Sequence, residues 1–208
     1  MTEKEATRLE ALWAFDQAYG QGAPVFGMDE VGRGPLAGPV LAACVWMPPQ
    51  LIDGVKDSKK IAEKKRERVA RDIEANALAF GIGMASVEEI ETLNILGATK
   101  LAMRRAYEQM PDRDKAFLLI DAIDPAFLPA RGRGVVKGDG QSYAVAAASV
   151  LAKVKRDELM KRYEEIYPGY GFAQNKGYGT AQHMAALREK GPTPVHRPSF
   201  LKGILHER

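Results

Sequence analysis

Gly27-Met28-Asp29-Glu30-Val31-Gly32-Arg33-Gly34-Pro35-Leu36-Ala37-Gly38-Pro39-Val40 is the stretch on which the reading of this chain turns. The apolar run Pro24 to Met28 reads as a short buried strand, and Asp29 and Glu30 stand at its end. Val31 to Pro35 carries the glycine and proline punctuation of a turn. Pro39 to Met47 reads as a second strand, rich in small residues and stopped by Pro48-Pro49. Two adjacent carboxylates therefore sit beside a glycine-rich turn between two strands.

Working outward, Thr2 to Tyr19 has Leu9, Leu12, Trp13 and Phe15 at roughly helical spacing, and Gly20-Gln21-Gly22 ends it. Ala62 to Ala75 reads as a helix and Leu78 to Ala85 as a third strand. Ser86 and Glu89 form a capping-box pattern. It opens a helical region, with room for a break, that runs through Leu93, Leu96, Leu101, Met103 and Tyr107 to just before Pro111. Lys115 to Ile120 reads as a fourth strand ending at Asp121, and Gly134 to Val136 as a short fifth ending near Asp139. Ser142 to Tyr167 is one long helical pattern closed by Pro168-Gly169. Hairpin-linked strands followed by alternating strands and helices imply an α/β fold, a mixed sheet flanked by helices. From Gly169 the chain turns rich in glycine, tyrosine and proline, with one helix from about Thr180 to Lys190. The expected organisation is a core over residues 1–167, including the N-terminal helix, and a small helical appendage over 168–208 that packs near the site.

The 208 residues suffice for one such domain with a real core, and 46% hydrophobic with 27% charged residues is ordinary for a soluble protein. No run approaches the roughly 18 apolar residues of a membrane span. The N-terminus has no apolar signal core. The single cysteine, Cys44, lies in the apolar run Val40 to Trp46 and reads as a buried thiol in a reducing, cytoplasmic compartment. The expectation is a monomer with no membrane partner. A net charge of +3 permits nucleic-acid binding without demanding it. Basic residues crowd into Lys56 to Arg71, Arg131 to Lys137, Lys153 to Arg162 and Arg188 to Lys202. Glu63 and Glu67 interleave the first cluster, which reads as a solvated helix face. Arg131-Gly132-Arg133-Gly134 is too short for an RGG tract and reads as a basic loop.

The acids at strand ends carry the chemistry. In an open sheet the strand ends gather along one edge, where sites form. Asp29, Glu30, Asp121 and Asp139 converging there without a cation would repel one another and raise their own pKa values. Hard divalent cations with oxygen ligands remove that problem, so Mg²⁺ or Mn²⁺ is expected. Zinc is disfavoured: the three histidines, His183, His196 and His206, all fall near the C-terminus, with no Cys/His cluster. Two such ions would clamp a phosphodiester. Each acid also has a plainer explanation taken singly: Asp29-Glu30 as a solvated turn, Asp121 as a strand exit, Asp139 as a helix N-cap.

The opening stretch resembles the type 2 ribonuclease H family. Further matches follow in the family's order: Asp57-Ser58-Lys59-Lys60, Asn94-Ile95-Leu96 with Ala98-Thr99, Lys137-Gly138-Asp139, Ala147 to Val154, Lys176-Gly177-Tyr178-Gly179-Thr180, and Gly191 to Arg197. The resemblance spans about residues 24 to 203. It implies an RNase H-like mixed sheet with a helical, substrate-binding C-terminal segment. It implies that Asp29, Glu30, Asp121 and Asp139 are the metal-binding carboxylates, that Gly32, Arg33 and Gly34 hold the ribonucleotide, and that Tyr178 packs on the sugar at the RNA-to-DNA junction. The implied reaction is hydrolysis 5′ of a ribonucleotide in an RNA–DNA hybrid or in duplex DNA, leaving a 3′-hydroxyl and a 5′-phosphate. Such a reaction serves ribonucleotide excision repair. Lys59, Lys60 and Lys153 are expected along the phosphate track, although Lys153 reads equally well as a surface residue of the long helix. His183 and Arg197 are further expected phosphate contacts. Two departures stand out: the family's usual glycine after the third carboxylate is Ala122 here, and its usual serine after Lys-Gly-Asp is Gly140.

Two rival readings fit the sequence less well. One is a nuclease of the same fold that acts on DNA alone, against which Gly32-Arg33-Gly34 and Tyr178 argue. The other is a non-catalytic RNA–DNA hybrid binding module, against which the four acids argue, because a mere binder gains nothing from negative charge near phosphate.

Overall fold

The opening stretch folds as expected, with one change of boundary. In the computed structural model, which describes residues 1–202, strand β1 runs over Val25–Val31, so Asp29 and Glu30 lie inside it rather than beyond its end. Strand β2 (Val40–Trp46) pairs antiparallel with β1, and strand β3 (Ala79–Ala85) pairs antiparallel with β2. Strands β4 (Phe117–Asp121) and β5 (Arg131–Val135) add in parallel on the other side of β1, giving the order β3-β2-β1-β4-β5. The expected mixed sheet is therefore present. The parallel register pairs Met28 with Ile120. Asp29 and Asp121 are the next residues on those neighbouring strands.

β5 departs from expectation. Arg131 to Gly134 is not a loop but most of that strand, bonded to β4 over Phe117 to Asp121. Glycine and arginine favour strand weakly on their own, so the pairing partner imposes the conformation. Arg131 then lies over the Phe117 ring and Arg133 over Tyr19.

Helix α1 (Glu3–Gly20), helix α2 (Glu63–Asn76), helix α3 (Val87–Glu108) and helix α4 (Tyr143–Ile166) flank the sheet. The Ser86–Glu89 capping box forms as read. α3 breaks at Asn94, whose side-chain oxygen accepts from the amides of Leu96 and Gly97 and so restarts the helix. Phe26, Met28, Cys44, Leu118 and Ile120 pack on α3, while Val45, Val150 and Leu151 belong to the core beneath α4. Burying each such large side chain contributes about 1.5–3 kcal/mol.

α4 positions the site. It lies so close to β1 that a Cβ on Gly27 would fall 2.0 Å from the backbone carbon of Ala144. Only hydrogen fits there. From α1, the wholly buried Asp16 accepts from the Ala144 amide at 2.9 Å, tying the first turn of α4 to the N-terminal helix. Short helices α5 (Phe172–Asn175), α6 (Ala181–Lys190) and α7 (Pro198–Leu201) follow. Tyr170, Phe172, Ala186, Leu187 and Leu201 make a small core with Ala37 and with Met160 of α4. The C-terminal segment thus packs on the loop that follows the two acids. No helix among the described residues is long and apolar enough to cross a membrane.

Candidate active site

Asp29 is buried in β1 and its Oδ1 accepts from the Glu30 amide at 2.8 Å. The Ser149 hydroxyl of α4 also reaches its carboxyl. Burial foremost, then the charges of Glu30 and Asp121, push the Asp29 pKa well above the usual carboxylate range. Glu30 is raised by burial and by Asp121, against the lowering pull of Arg33. Asp121 ends β4, and its Oδ1 accepts from the Gly138 amide at 2.7 Å. Asp139 sits in the single 3₁₀ turn Gly138–Gly140 just ahead of α4. Its pKa is raised by burial, then by Asp57 and Asp121, with Lys59 opposing. The N-cap explanation of Asp139 fails, because Ser142 caps α4 by accepting from the Val145 amide. Asp124, three residues after Asp121, is likewise accounted for: it caps the next 3₁₀ turn by accepting from the Ala126 amide.

The charge of Asp121 therefore acts on each of the other three acids. Among the described residues no three acidic or histidine side chains already stand as a closed metal-binding group. The donor set nonetheless fits a hard divalent cation. All of it is oxygen, and the buried Glu30 Oε2 has no hydrogen-bond partner.

Two neighbours did not stand out as site residues in the sequence. Asp57 adds a further carboxylate beside Asp139 while its own Oδ1 caps Lys59 at 3.0 Å. Ser149 links Asp29 to Ser58, with 3.0 Å between the hydroxyl oxygens. Both belong to segments already singled out, Asp57 to Lys60 and Ala147 to Val154, where the signal was present without an assigned role.

The Gly32-Arg33-Gly34 loop lies directly beyond the acids. Arg33 Nη1 is 3.4 Å from Glu30 Oε1. Gly32, at φ +96°, has a reason internal to the protein: a Cβ there would fall 2.2 Å from Nε of the buried Arg156. A Cβ on Gly34 would meet only the Tyr178 ring, at 3.8 Å, so the space in front of Gly34 is open. Tyr178 is 46% exposed, which excludes a core role for it. Lys59 and Lys60 are exposed. Lys153 is mostly buried and its ammonium binds Asp157 at 2.6 Å, so it is not a free surface residue and its charge is already paired.

His183 and Arg197 are corrected: both are wholly buried and bond within the protein instead of facing a phosphate. The Thr193 amide reaches His196 Nδ1 at 2.9 Å, which leaves the proton on His196 Nε2. That nitrogen donates to His183 Nε2 at 2.9 Å, and His183 Nδ1 then donates to Tyr178 O at 2.9 Å. Burial lowers both pKa values, His196 to about 4, so this chain is neutral. His206 lies outside the described residues.

The sequence pattern of the family described as Ribonuclease HII matches residues 26–203. The chain belongs to the ribonuclease HII family. A ribonuclease HII of Caldanaerobacter subterraneus is 44% identical over 206 residues, 98% of this chain and 85% of the relative. One of Desulfitobacterium hafniense is 49% identical over 199 residues, covering 94% and 76% respectively. A chain of the PCNA:RNase HII complex from Archaeoglobus fulgidus superposes with a TM-score of 0.69 at 23% identity, covering 88% of this chain and 98% of that one, which shows the shared fold. The protein is thus a ribonuclease H, an endonuclease acting on nucleic acid, and this family depends on divalent metal. The two rival readings fall with that result.

Proposed function

We propose that this enzyme hydrolyses the phosphodiester 5′ of a ribonucleotide, in RNA–DNA hybrids or embedded in duplex DNA, and leaves a 3′-hydroxyl and a 5′-phosphate. One observation carries the reading. The Gly32-Arg33-Gly34 loop touches the coupled acids on one side, through Arg33 and Glu30, and faces the exposed ring of Tyr178 on the other. Chemistry and substrate choice are thus adjacent.

Asp29, Glu30, Asp121 and Asp139 would hold the cations, and the raised carboxylate pKa values of Asp29, Glu30 and Asp139 express how strongly the fold favours a compensating positive charge there. Bound Mg²⁺ or Mn²⁺, two ions in this reading, supplies an activated water and neutralises the charge that develops on the leaving oxygen. The remaining work falls to the chain. Arg33 offers a guanidinium fork to a phosphate. Gly34 leaves room for the sugar edge to approach the backbone and present its 2′-hydroxyl, the group that separates RNA from DNA. Tyr178 offers a flat face to the deoxyribose that follows. Lys59 is exposed near Asp139 and positions the backbone; a contact from Lys153 requires its ion pair with Asp157 to open. Of the expected appendage over 168–208, the described residues 168–202 carry Tyr178 and serve to bind substrate.

The test is cleavage-site mapping on a duplex with one embedded ribonucleotide, in Mg²⁺ or Mn²⁺, against an all-DNA duplex. Wild type cuts 5′ of the ribonucleotide and leaves the all-DNA duplex intact. Asp29→Asn and Asp121→Asn each lose at least 100-fold in rate, about 2.7 kcal/mol of barrier. Full activity in either variant sinks the ligand assignment.

A further inference from the structure

Two guanidinium groups lie wholly inside the protein behind the loop Gly32 to Pro39. Arg156, on α4, donates from Nε to Pro39 O at 3.1 Å, from Nη1 to Lys176 O at 2.8 Å and from Nη2 to Ala37 O at 3.0 Å. Arg197, just ahead of α7, donates from Nε to Gly38 O at 2.9 Å, from Nη1 to Arg33 O at 2.9 Å, and from Nη2 to both Gly32 O and Gly38 O. Among the described residues neither has a carboxylate partner; Asp157, next to Arg156, is taken by Arg66 and Lys153.

A buried charge without a counter-ion is costly; backbone carbonyls compensate these two, joined at Arg197 by the Phe200 ring, 5.1 Å from the guanidinium carbon. An apolar side chain would fill the same space at lower cost. What an apolar residue lacks is a rigid planar fork able to bind several carbonyls at once. The carbonyls of Gly32, Arg33, Ala37, Gly38 and Pro39 are all bound this way, and that of Leu36 accepts from the Arg197 amide at 2.8 Å. Among the described residues the amides of Arg33 and Gly34 donate to no acceptor. The loop is also tied to the turn that carries Tyr178: the Leu36 amide donates to Gly177 O at 2.8 Å, and Arg156 binds the preceding Lys176 carbonyl. On the far side the Gly38 amide donates to Val195 O at 2.8 Å.

We propose that Arg156 and Arg197 are positioning residues: they draw the loop's carbonyls inward, leave its Arg33 and Gly34 amides for substrate, and hold the loop at one spacing from Tyr178. This rests on the loop and Tyr178 reading the substrate as described above. An isolated ribonucleotide offers one 2′-hydroxyl and one junction with DNA, so both elements must meet their targets at a single spacing. A continuous hybrid offers a 2′-hydroxyl at every step and tolerates a shifted loop. The two arginines therefore set the preference for an isolated ribonucleotide.

The experiment compares Arg156→Lys, Arg197→Lys and Met160→Ala on two substrates, a duplex with one ribonucleotide and a continuous RNA–DNA hybrid. Lysine keeps the charge and loses the fork. Met160 packs beside Gly38 without bonding the loop, so its variant controls for loss of packing alone. Taking both rates from one preparation makes their ratio independent of the folded fraction. The expected result is a ratio, single ribonucleotide over hybrid, at least tenfold lower in each lysine variant and unchanged in Met160→Ala. A wild-type ratio in the lysine variants, or an equal shift in Met160→Ala, overturns the proposal. Should the lysine variants fail to fold, amide exchange in the wild type decides: Leu36, Gly38 and Arg197 exchange together and slowly if the loop is clamped, and at exposed-loop rates if it is not. A wild type that cuts neither substrate refutes the functional reading instead, and the exchange result still judges the clamp.

Discussion

Ala122 follows Asp121 directly and stands at φ +53°, held by its amide's 2.9 Å bond to Val135 O. Left-handed backbone costs an L-residue other than glycine about 1–2 kcal/mol. Glycine removes that cost, and returns about 0.4–1 kcal/mol of it through the greater freedom of the unfolded chain. The side chain is exposed, so losing its methyl group forfeits no packing. Ala122→Gly therefore stabilises the fold by about 0.5–1 kcal/mol, and for a chain of 208 residues Tm rises by roughly 1–4 °C. Ala122→Val moves the other way, because a β-branched residue tolerates positive φ least. The assay is urea unfolding with EDTA present, so that metal binding does not contribute to stability. The midpoint should shift up for glycine and down for valine at constant m. Cleavage should change less than twofold in the glycine variant, because the Gly138 amide still holds Asp121. A glycine variant no more stable than wild type, or a neutral valine variant, refutes the strain assignment.

Tyr178→Ala should cut an isolated ribonucleotide at least tenfold more slowly while Tm moves by less than about 2 °C, since the ring is half exposed; unchanged cleavage removes its junction role. Asp16 is wholly buried, with Oδ1 unpartnered, and burial raises its pKa to about 6 against hydrogen bonds from the start of α4. Because the folded value exceeds the unfolded one, this group's contribution is complete below about pH 4 and lost as pH rises through about 6, a change of about 3 kcal/mol. Stability measured from pH 4 to 8 should therefore fall less steeply in Asp16→Asn than in wild type, and equal slopes refute the assignment.

The elements with a local signal were legible in the chain itself. Helical spacing gave away α1 and α4, the Ser86–Glu89 pair marked the start of α3, and apolar runs marked β1, β2 and β4. β5 was half missed because Arg131-Gly132-Arg133-Gly134 becomes a strand only by pairing with β4. Asp121 and Asp124 differ for a physical reason: Asp121 ends the apolar strand, while Asp124 precedes a proline and caps a turn. The buried roles of His183 and Arg197 had no such signal. A basic residue in a glycine- and proline-rich segment reads as a surface contact until its neighbours are known.

Sequence by itself determined the family, the mixed α/β fold and the candidate acids, because those depend on short-range pattern and on residues adjacent along the chain. Tertiary structure alone decided that Asp29 and Asp121 sit side by side, through the parallel register of β1 and β4. It alone decided that Gly32 is glycine partly to admit Arg156, and that Arg197 grips the loop from the other end of the chain. Those arrangements join residues more than ninety positions apart, and a side chain's identity does not name the partner that folding will bring to it.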